Sequence, residues 1–320
     1  MENNAVAKNN KRIRRRLPRE TSGLPKAMRK GAYLFCAIMC LPAIYDIVRY
    51  FIVNTYSVLL AFNDGIPGTA TSHWSFNQFR RFFVDLSSNG EIMIALGNTL
   101  RYFAVAIVQL FICYFVAYFL YKKIPGSKIY RYLLFLPSLV PPIISVTIYK
   151  NLIQEMGPLW TLWKAMTGME YANPFTNGKS ATTAIIIYLF LTGFGTTYLI
   201  FIGAMNRIPQ DVVDAAKLDG CSAWREFWSI IMPMTWGTFS TFLLMDVALI
   251  FTASGPILYF TGEQSIALGT QTLGYWIFQQ VWDGYTNYPA AIGVIFTLCG
   301  IPILILTRII INKLDSGVTY

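Results

Sequence analysis

The chain has 320 residues, of which 55% are hydrophobic and only 13% are charged, and its formal net charge is +10. This composition is too apolar for a soluble protein of this length and predicts an integral membrane protein. The positive charge does not indicate nucleic-acid binding, because ten of the 26 Lys and Arg residues lie in the first thirty positions, directly before an apolar stretch. Such a cluster is typical of a cytoplasmic anchor whose partner is anionic membrane lipid.

The residues that usually hold metals or disulfides are scarce. The chain has a single histidine, His73, and five cysteines without a CxxC pair. Multi-histidine and thiolate metal sites are therefore not expected, and the cysteine spacing implies no disulfide framework. The sequence predicts no catalytic residue, no metal and no cofactor, which favours a non-catalytic protein.

Six segments are predicted to cross the membrane, since a helix needs about twenty apolar residues to do so. Four of them contain no Asp, Glu, Lys or Arg: residues 102–121, 132–149, 180–206 and 285–307. Two more contain charged residues: 31–53, with Asp46 and Arg49, and 235–260, with Asp246. The predicted fold class is therefore all-α integral membrane, with about six transmembrane helices.

The distribution of Lys and Arg predicts the orientation. Most of them lie in the tail and in the segments 122–131, 206–233 and 308–320, and cytoplasmic segments carry such an excess. Three parts are predicted: a basic cytoplasmic tail at 1–30, a transmembrane domain at 31–315, and a cytoplasmic end at 316–320. Both termini are then cytoplasmic. The external 54–95 segment has aromatic residues at the spacing of an interfacial amphipathic helix, namely Trp74, Phe76, Phe79, Phe82 and Phe83.

Prolines and charges inside the predicted spans are candidate functional features. Pro141 and Pro142 lack backbone donors and must bend or break the third span, either to line a translocation path or to improve packing. Asp46 and Arg49, three residues apart, are expected to pair on one helix face. Asp246 should face the protein interior, because a carboxylate facing lipid is costly. It either bonds a neighbouring helix or partner, or lines a path and accepts hydrogen bonds from solute hydroxyls.

The segment 206–233, between the fourth and fifth spans, reads as two short helices around a glycine. Pro209 suits the first turn of a helix, and Gly220 can take the left-handed conformation that ends it. Ser222 can cap a second helix, which is expected to end as Pro233 approaches.

The spacing in this segment resembles the EAA loop of ABC importer permeases, whose pattern is E-A-A-x3-G-x9-I-x-L-P. Asp214 stands where the family has Glu and Met232 where it has Leu, and both changes preserve charge or apolar character. The remaining matches are Ala215, Ala216, Gly220, Ile230 and Pro233. The resemblance implies that these residues couple the chain to an ATPase, with the two alanines on the helix surface and Asp214 available for a basic group of the partner.

The wider chain is similar to maltose-type sugar permeases from about Tyr33 to Leu314. Shorter supporting stretches are Asn98-Thr99-Leu100, Leu134-Phe-Leu-Pro137 and Thr272-Leu273-Gly274-Tyr275. The resemblance implies a type I permease in the bacterial cytoplasmic membrane. The implied partners are a second homologous permease, ATPase subunits, an extracytoplasmic solute-binding protein and a sugar-like solute.

Two other classes of protein remain as alternatives: a six-span secondary transporter or channel, and a membrane-embedded enzyme. The chain has no phosphate loop, since the nearest lookalike, residues 173–180, lacks the first glycine and falls in a predicted external loop. An enzyme should show a cluster of ionisable groups at membrane depth, and a secondary transporter should show inverted repeats. Neither feature is evident in the sequence.

Overall fold

The computed structural model describes residues 26–65, 72–88 and 90–315. The part of the predicted basic tail that precedes Lys26, and the predicted cytoplasmic end at 316–320, lie outside the described residues. The chain forms two compact units with their boundary between Tyr56 and Ser57. Helix α1, Lys26–Ala61, begins within the predicted tail, and in it Arg49 Nη2 lies 3.4 Å from Asp46 Oδ1, which confirms the predicted ion pair.

Within the described ranges, four helical segments are long and apolar enough to cross a bilayer: Tyr33–Ala61, Glu91–Tyr121, Gly178–Met205 and Asn287–Leu314. The number rises to six if each of two bent helix pairs is one span. These pairs are Ser127–Leu139 with Pro142–Thr167, and Ala223–Met234 with Trp236–Ala248. This count agrees with the prediction of about six transmembrane helices.

The segment after α1, which the sequence predicts to be external, contains a two-residue hairpin and a short helix. Strands β1, Asn63–Asp64, and β2, His73–Trp74, pair antiparallel, and α2 follows at Asn77–Ser87. Phe82 of α2 is buried, with its ring centroid 5.7 Å from that of Phe296. The predicted amphipathic helix is therefore present, although it begins after Trp74 and Phe76.

The second predicted span is the continuous helix α3, Glu91–Tyr121, and the third is two helices instead of one. Helices α4, Ser127–Leu139, and α5, Pro142–Ile153, meet at an extended Val140 and Pro141, and the chain turns there by 106°. The break follows from the two prolines, which cannot donate backbone hydrogen bonds. Helix α6, Pro158–Thr167, and a 3₁₀ turn, Pro174–Thr176, complete the connection to the fourth span.

The fourth span is also interrupted, into α7, Gly178–Thr192, and α8, Thr197–Met205. Gln109 of α3 fills the gap, since its amide Nε2 donates to the carbonyls of Leu189 and Phe190 at 3.2 and 3.1 Å. A Cβ on Gly193 would lie 2.2 Å from that amide. The apolar run of the fourth span therefore gave no sign of this break, because a side chain from another helix satisfies the carbonyls that the break leaves unpaired.

The fifth span differs most from the prediction. After α9, Gln210–Leu218, a helical stretch runs through α10, Ala223–Glu226, a π-helical turn, Phe227–Ile231, and α11, Met232–Met234. It then bends by 75° into α12, Trp236–Ala248. The prediction of one helix over 235–260 was wrong, because α12 ends at Ala248 and the chain turns at 249–252.

The last part of the chain consists of short helices and one long span. Three short helical elements precede α15, Leu273–Trp282. They are α13 at Ile257–Phe260, a 3₁₀ turn at Gly262–Gln264 and α14 at Ser265–Leu268. Helix α16, Asn287–Leu314, is longer than the predicted 285–307 span. The described core contains three apolar clusters, centred on Tyr114 with Phe201, on Phe82 with Trp276, and on Tyr188 with Phe260.

Candidate functional site

The first helix of the 206–233 segment, α9, begins directly after Pro209. Pro209 has φ −56° and ψ 130° and so precedes the helix instead of lying in its first turn. Its carbonyl accepts a hydrogen bond from the Val212 N–H at 3.1 Å. Asp211 lies in the first turn, where its negative charge interacts favourably with the positive end of the helix dipole.

Gly220 ends this helix in the left-handed conformation that the sequence predicted, with φ +70°. The Gly220 N–H bonds the Lys217 carbonyl at 3.0 Å, and the Cys221 N–H bonds the Ala216 carbonyl at 2.9 Å. These bonds satisfy carbonyls that a helix end otherwise leaves unpaired. The conformation of this one residue therefore sets the angle between the two helices.

Asp214 lies on the exposed face of α9 in a local charge network. Its Oδ1 accepts hydrogen bonds from Lys217 Nζ at 2.8 Å and from Gln210 Nε2 at 3.1 Å. The bond from Lys217, and then that from Gln210, hold the pKa of the Asp214 carboxyl below its usual range, and the same contact raises the pKa of Lys217. The carboxylate is thus charged and accessible, with 53% of the side chain exposed.

The two alanines have different environments. Ala215 is exposed, but Ala216 is buried with 8% exposure, so the expectation that both lie on the surface is wrong for Ala216. Ala216 lies three residues after the buried Val213, on the same face of the helix, and that face packs against the chain itself. A small side chain at position 216 therefore serves packing within this chain.

The second helix of the segment starts as predicted but does not stop as predicted. The Ser222 side chain caps it by accepting a hydrogen bond from the Arg225 N–H at 3.4 Å. The helix then continues through Pro233 to Met234, because the π-helical turn before the proline alters the hydrogen-bond pattern there. Ile230 and Pro233 are half-buried.

Three large apolar side chains of the segment are exposed, which the motif spacing did not indicate. Leu218 is 90% exposed, Trp224 62% and Trp228 46%. Apolar residues in a charged loop are a signal that sequence reading could have used. Leu218 lies one helical turn after Asp214 on α9, and the rings of Trp224 and Trp228 contact each other, with centroids 5.7 Å apart.

A second group missed from the sequence attaches the segment to α3. Lys122 Nζ lies 2.9 and 2.8 Å from the two carboxylate oxygens of Glu226, which is 2% exposed. Nearby, the Tyr118 hydroxyl donates to the Ala223 carbonyl at 2.9 Å. The contacts join residues more than a hundred positions apart, so no local pattern could reveal them.

Asp246 lies beside a cavity of about 220 Å³. Three other polar side chains line the cavity, those of Thr99, Tyr102 and Thr272, and the rest of the wall is apolar. The Tyr102 hydroxyl oxygen is buried and forms no hydrogen bond with a described residue, and Asp246 forms no hydrogen bond or ion pair with any of them. The prediction that Asp246 faces the protein is supported, whereas Pro141 and Pro142 are exposed and lie outside this wall.

The wall of the cavity is held by two of the short stretches noted in the sequence. The buried Asn98 side chain donates to the carbonyls of Gly269 and Gln271 at 2.8 and 3.0 Å. Thr99 Oγ1 accepts a hydrogen bond from the Leu273 N–H at 2.9 Å. The start of α3 is thus fixed to the residues that precede α15.

Two solved structures of bacterial ABC transporters have this fold. One, involved in the import of the acidic polysaccharide alginate, matches with a TM-score of 0.72 and 14% identity over 91% of this chain and 99% of that one. Another, the alginate transporter in complex with an alginate pentasaccharide-bound periplasmic protein, gives a TM-score of 0.75 and 15% identity over 92% and 99% of the two chains. The fold is that of the type I ABC importer permeases.

Curated relatives of the chain include maltose/maltodextrin permeases. The maltose/maltodextrin permease protein MalF of Klebsiella aerogenes is 29% identical over 153 residues, 48% of this chain and 30% of MalF. That of Escherichia coli K12 is 26% identical over 213 residues, 64% of this chain and 40% of MalF. The matches thus span less than half the length of these relatives. The family model of binding-protein-dependent transport system inner membrane components matches residues 109–320, and the chain belongs to that family.

Proposed function

We propose that this chain is a permease subunit of an ATP-driven importer for a sugar or oligosaccharide. The observation that carries the proposal is the 206–233 segment in a chain of this family. Its helix α9 exposes the charged Asp214 and the apolar Leu218, and the left-handed Gly220 turns the chain from α9 towards α10. ATP hydrolysis is assigned to a separate ATPase subunit, and solute delivery to an extracytoplasmic binding protein. The segment and both termini then face the cytoplasm of a bacterial cell, across its cytoplasmic membrane.

The coupling surface is assigned to Asp214 and Ala215 with the exposed Leu218. Asp214 offers a charge-assisted hydrogen bond to a basic group of the ATPase, and Ala215 permits close approach. Leu218, which the chain leaves almost fully exposed, is suited to enter an apolar pocket of that subunit. The other motif residues contribute to coupling by fixing the conformation of the segment; they are Ala216, Gly220, Ile230 and Pro233.

Purification of the tagged chain from its native host tests this assignment. The wild type should retain an ATPase and a second, non-identical permease, since a single coupling segment can engage only one of two ATPase sites. Leu218→Ser should no longer copurify with the ATPase subunit. Leu314→Ser, which alters a leucine exposed at the end of α16, should still copurify with it. If the chain copurified with no ATPase, the coupling role would be contradicted. If it were recovered only as an active homodimer, the second, non-identical permease would be contradicted.

The translocation path is assigned to the cavity beside Asp246. A carboxylate, a phenol and two threonine hydroxyls on an apolar wall suit hydrogen bonding to the hydroxyl groups of a sugar. Asp246 meets no cationic side chain among the residues lining the cavity, which favours a neutral sugar over an acidic one. Pro141 and Pro142 contribute by breaking the third span, not by lining this cavity.

Asp246→Asn tests the path, because it preserves the shape of the side chain and removes its charge. Assembly should be normal, while the affinity or selectivity of maltodextrin uptake changes and acidic oligosaccharides compete more strongly. Asp283→Asn removes an exposed carboxylate away from the cavity and should change neither property. If Asp246→Asn failed to assemble, the role of Asp246 would be structural. If transport were unchanged, Asp246 would not belong to the translocation path.

A further inference from the structure

Helix α3 reaches both parts of the site. It supplies Thr99, Tyr102, Phe103 and Ala106 to the wall of the cavity. Its 31 residues correspond to about 46 Å of helix, and Lys122 follows its last residue. One element therefore connects the cavity with the segment assigned to ATPase binding.

The joint between α3 and that segment is a buried ion pair. Both oxygens of Glu226 accept hydrogen bonds from Lys122 Nζ, and the Glu226 side chain is 3% exposed against 26% for that of Lys122. A buried carboxylate that loses its cationic partner is strongly unfavourable, so the pair resists separation. The Phe227 ring adds apolar contact, 5.1 Å from the ring of Tyr118 and 5.5 Å from that of Tyr114.

The two halves of the segment are held differently. The helix before Gly220 presents Asp214, Lys217 and Leu218 to the exterior, whereas the helix after it is fixed to α3 through Glu226, Ala223 and Phe227. A force applied by a partner to the exposed half is therefore passed to α3 through the fixed half.

We infer that Lys122 and Glu226 are positioning residues that make α3, and with it one wall of the cavity, move together with the 206–233 segment. This inference rests on the proposed function, because the force comes from the ATPase. The pair touches neither solute nor nucleotide. It converts a displacement at the surface of the segment into a displacement of Thr99, Tyr102 and Ala106 in the cavity.

The test follows the cavity wall directly and needs no knowledge of the solute. Ala106→Cys, placed in a chain whose five native cysteines are replaced, reports the wall through its rate of alkylation by a small water-soluble maleimide. In the purified permease–ATPase complex, ATP with vanadate should change that rate. In Glu226→Gln and in Lys122→Met the change should shrink by about fivefold or more, the lower range of coupling between sites, while ATPase remains bound.

Two further variants separate positioning from general damage. Lys123→Met removes a neighbouring exposed charge that forms no ion pair with any described residue, and it should retain the full nucleotide response. The exchange Lys122→Glu with Glu226→Lys should restore part of the response that either single change loses. A full response in Glu226→Gln would overturn the inference, as would loss of ATPase binding in that variant, which would assign the pair to folding of the segment. A wild type that binds no ATPase would refute the proposed function, and the inference with it.

Discussion

Replacing Gly220 by valine tests the conformation of the 206–233 segment most directly. Gly220 has φ +70°, and an ideal Cβ built on it meets no atom within 4 Å. The penalty of a side chain therefore comes from the local left-handed backbone and not from a clash with neighbouring residues, and it is about 1–2 kcal/mol. Such a difference changes the population of the native hairpin by about five- to thirtyfold.

The expected result is loss of coupling without loss of the protein. Gly220→Val should insert into the membrane in normal amount, while ATPase retained on purification and ATP-dependent uptake both fall. Gly220→Asn should lose much less, because asparagine tolerates the left-handed conformation better than other residues that carry a Cβ. Uptake, bound ATPase and membrane content are measured on the same preparations.

Gly284 provides the matched control, since it has φ +91° and an equally open surrounding. Gly284→Val imposes a similar backbone penalty outside the 206–233 segment and should leave ATPase binding unchanged. If Gly220→Val kept both uptake and ATPase association, the coupling assignment would be refuted. If Gly284→Val reduced ATPase binding as much as Gly220→Val does, the effect would be a general loss of stability.

Two predictions concern contacts made by residues 268–271. Gly178→Ala should lower the thermal unfolding temperature of the detergent-solubilised protein, because its Cβ would lie 1.7 Å from the Leu268 carbonyl oxygen, and overpacking costs about 1–3 kcal/mol. Gly203→Ala, with no atom within 4 Å, is the control, and equal melting of the two would contradict the packing. Asn98→Ala should cost about 1–3 kcal/mol by leaving the 269–271 carbonyls without their donor. An unchanged melting temperature would show that these bonds contribute no net stability.

Charge-free apolar runs and local backbone chemistry are the features that the sequence predicted well. The run 102–121 lies within α3, and the run 285–307 lies within α16 except for its first two residues, since a bilayer selects for length and hydropathy. The left-handed Gly220 and the Ser222 cap were also predictable, because both depend on a few neighbouring residues. The same local reasoning identified the break at Pro141.

Long-range contacts are what the sequence did not reveal. The break between α7 and α8 depends on Gln109, some eighty residues away, whose amide satisfies the freed carbonyls. Ala216 matched a motif position, but only the packing of the chain shows that it faces inward. Likewise, Lys122 and Glu226 are ordinary charged residues until the fold brings them together. The motif therefore located the segment, and the tertiary contacts show how it is attached.

Among the candidate spans of the described residues, α3 alone has neither an internal proline nor a break. Helix α1 contains Pro42 and α16 contains Pro302, and the other three spans are bent or interrupted. Kinks at prolines and interruptions of the hydrogen-bond ladder are where helices bend. In the proposed cycle, a displacement at Lys122 therefore reaches the cavity along a stiff element, while the broken spans around it absorb the change of shape. The carboxylate of Asp246 lies on one such span, so movement of α3 alters the separation between the two sides of the cavity, which is the change that solute release requires.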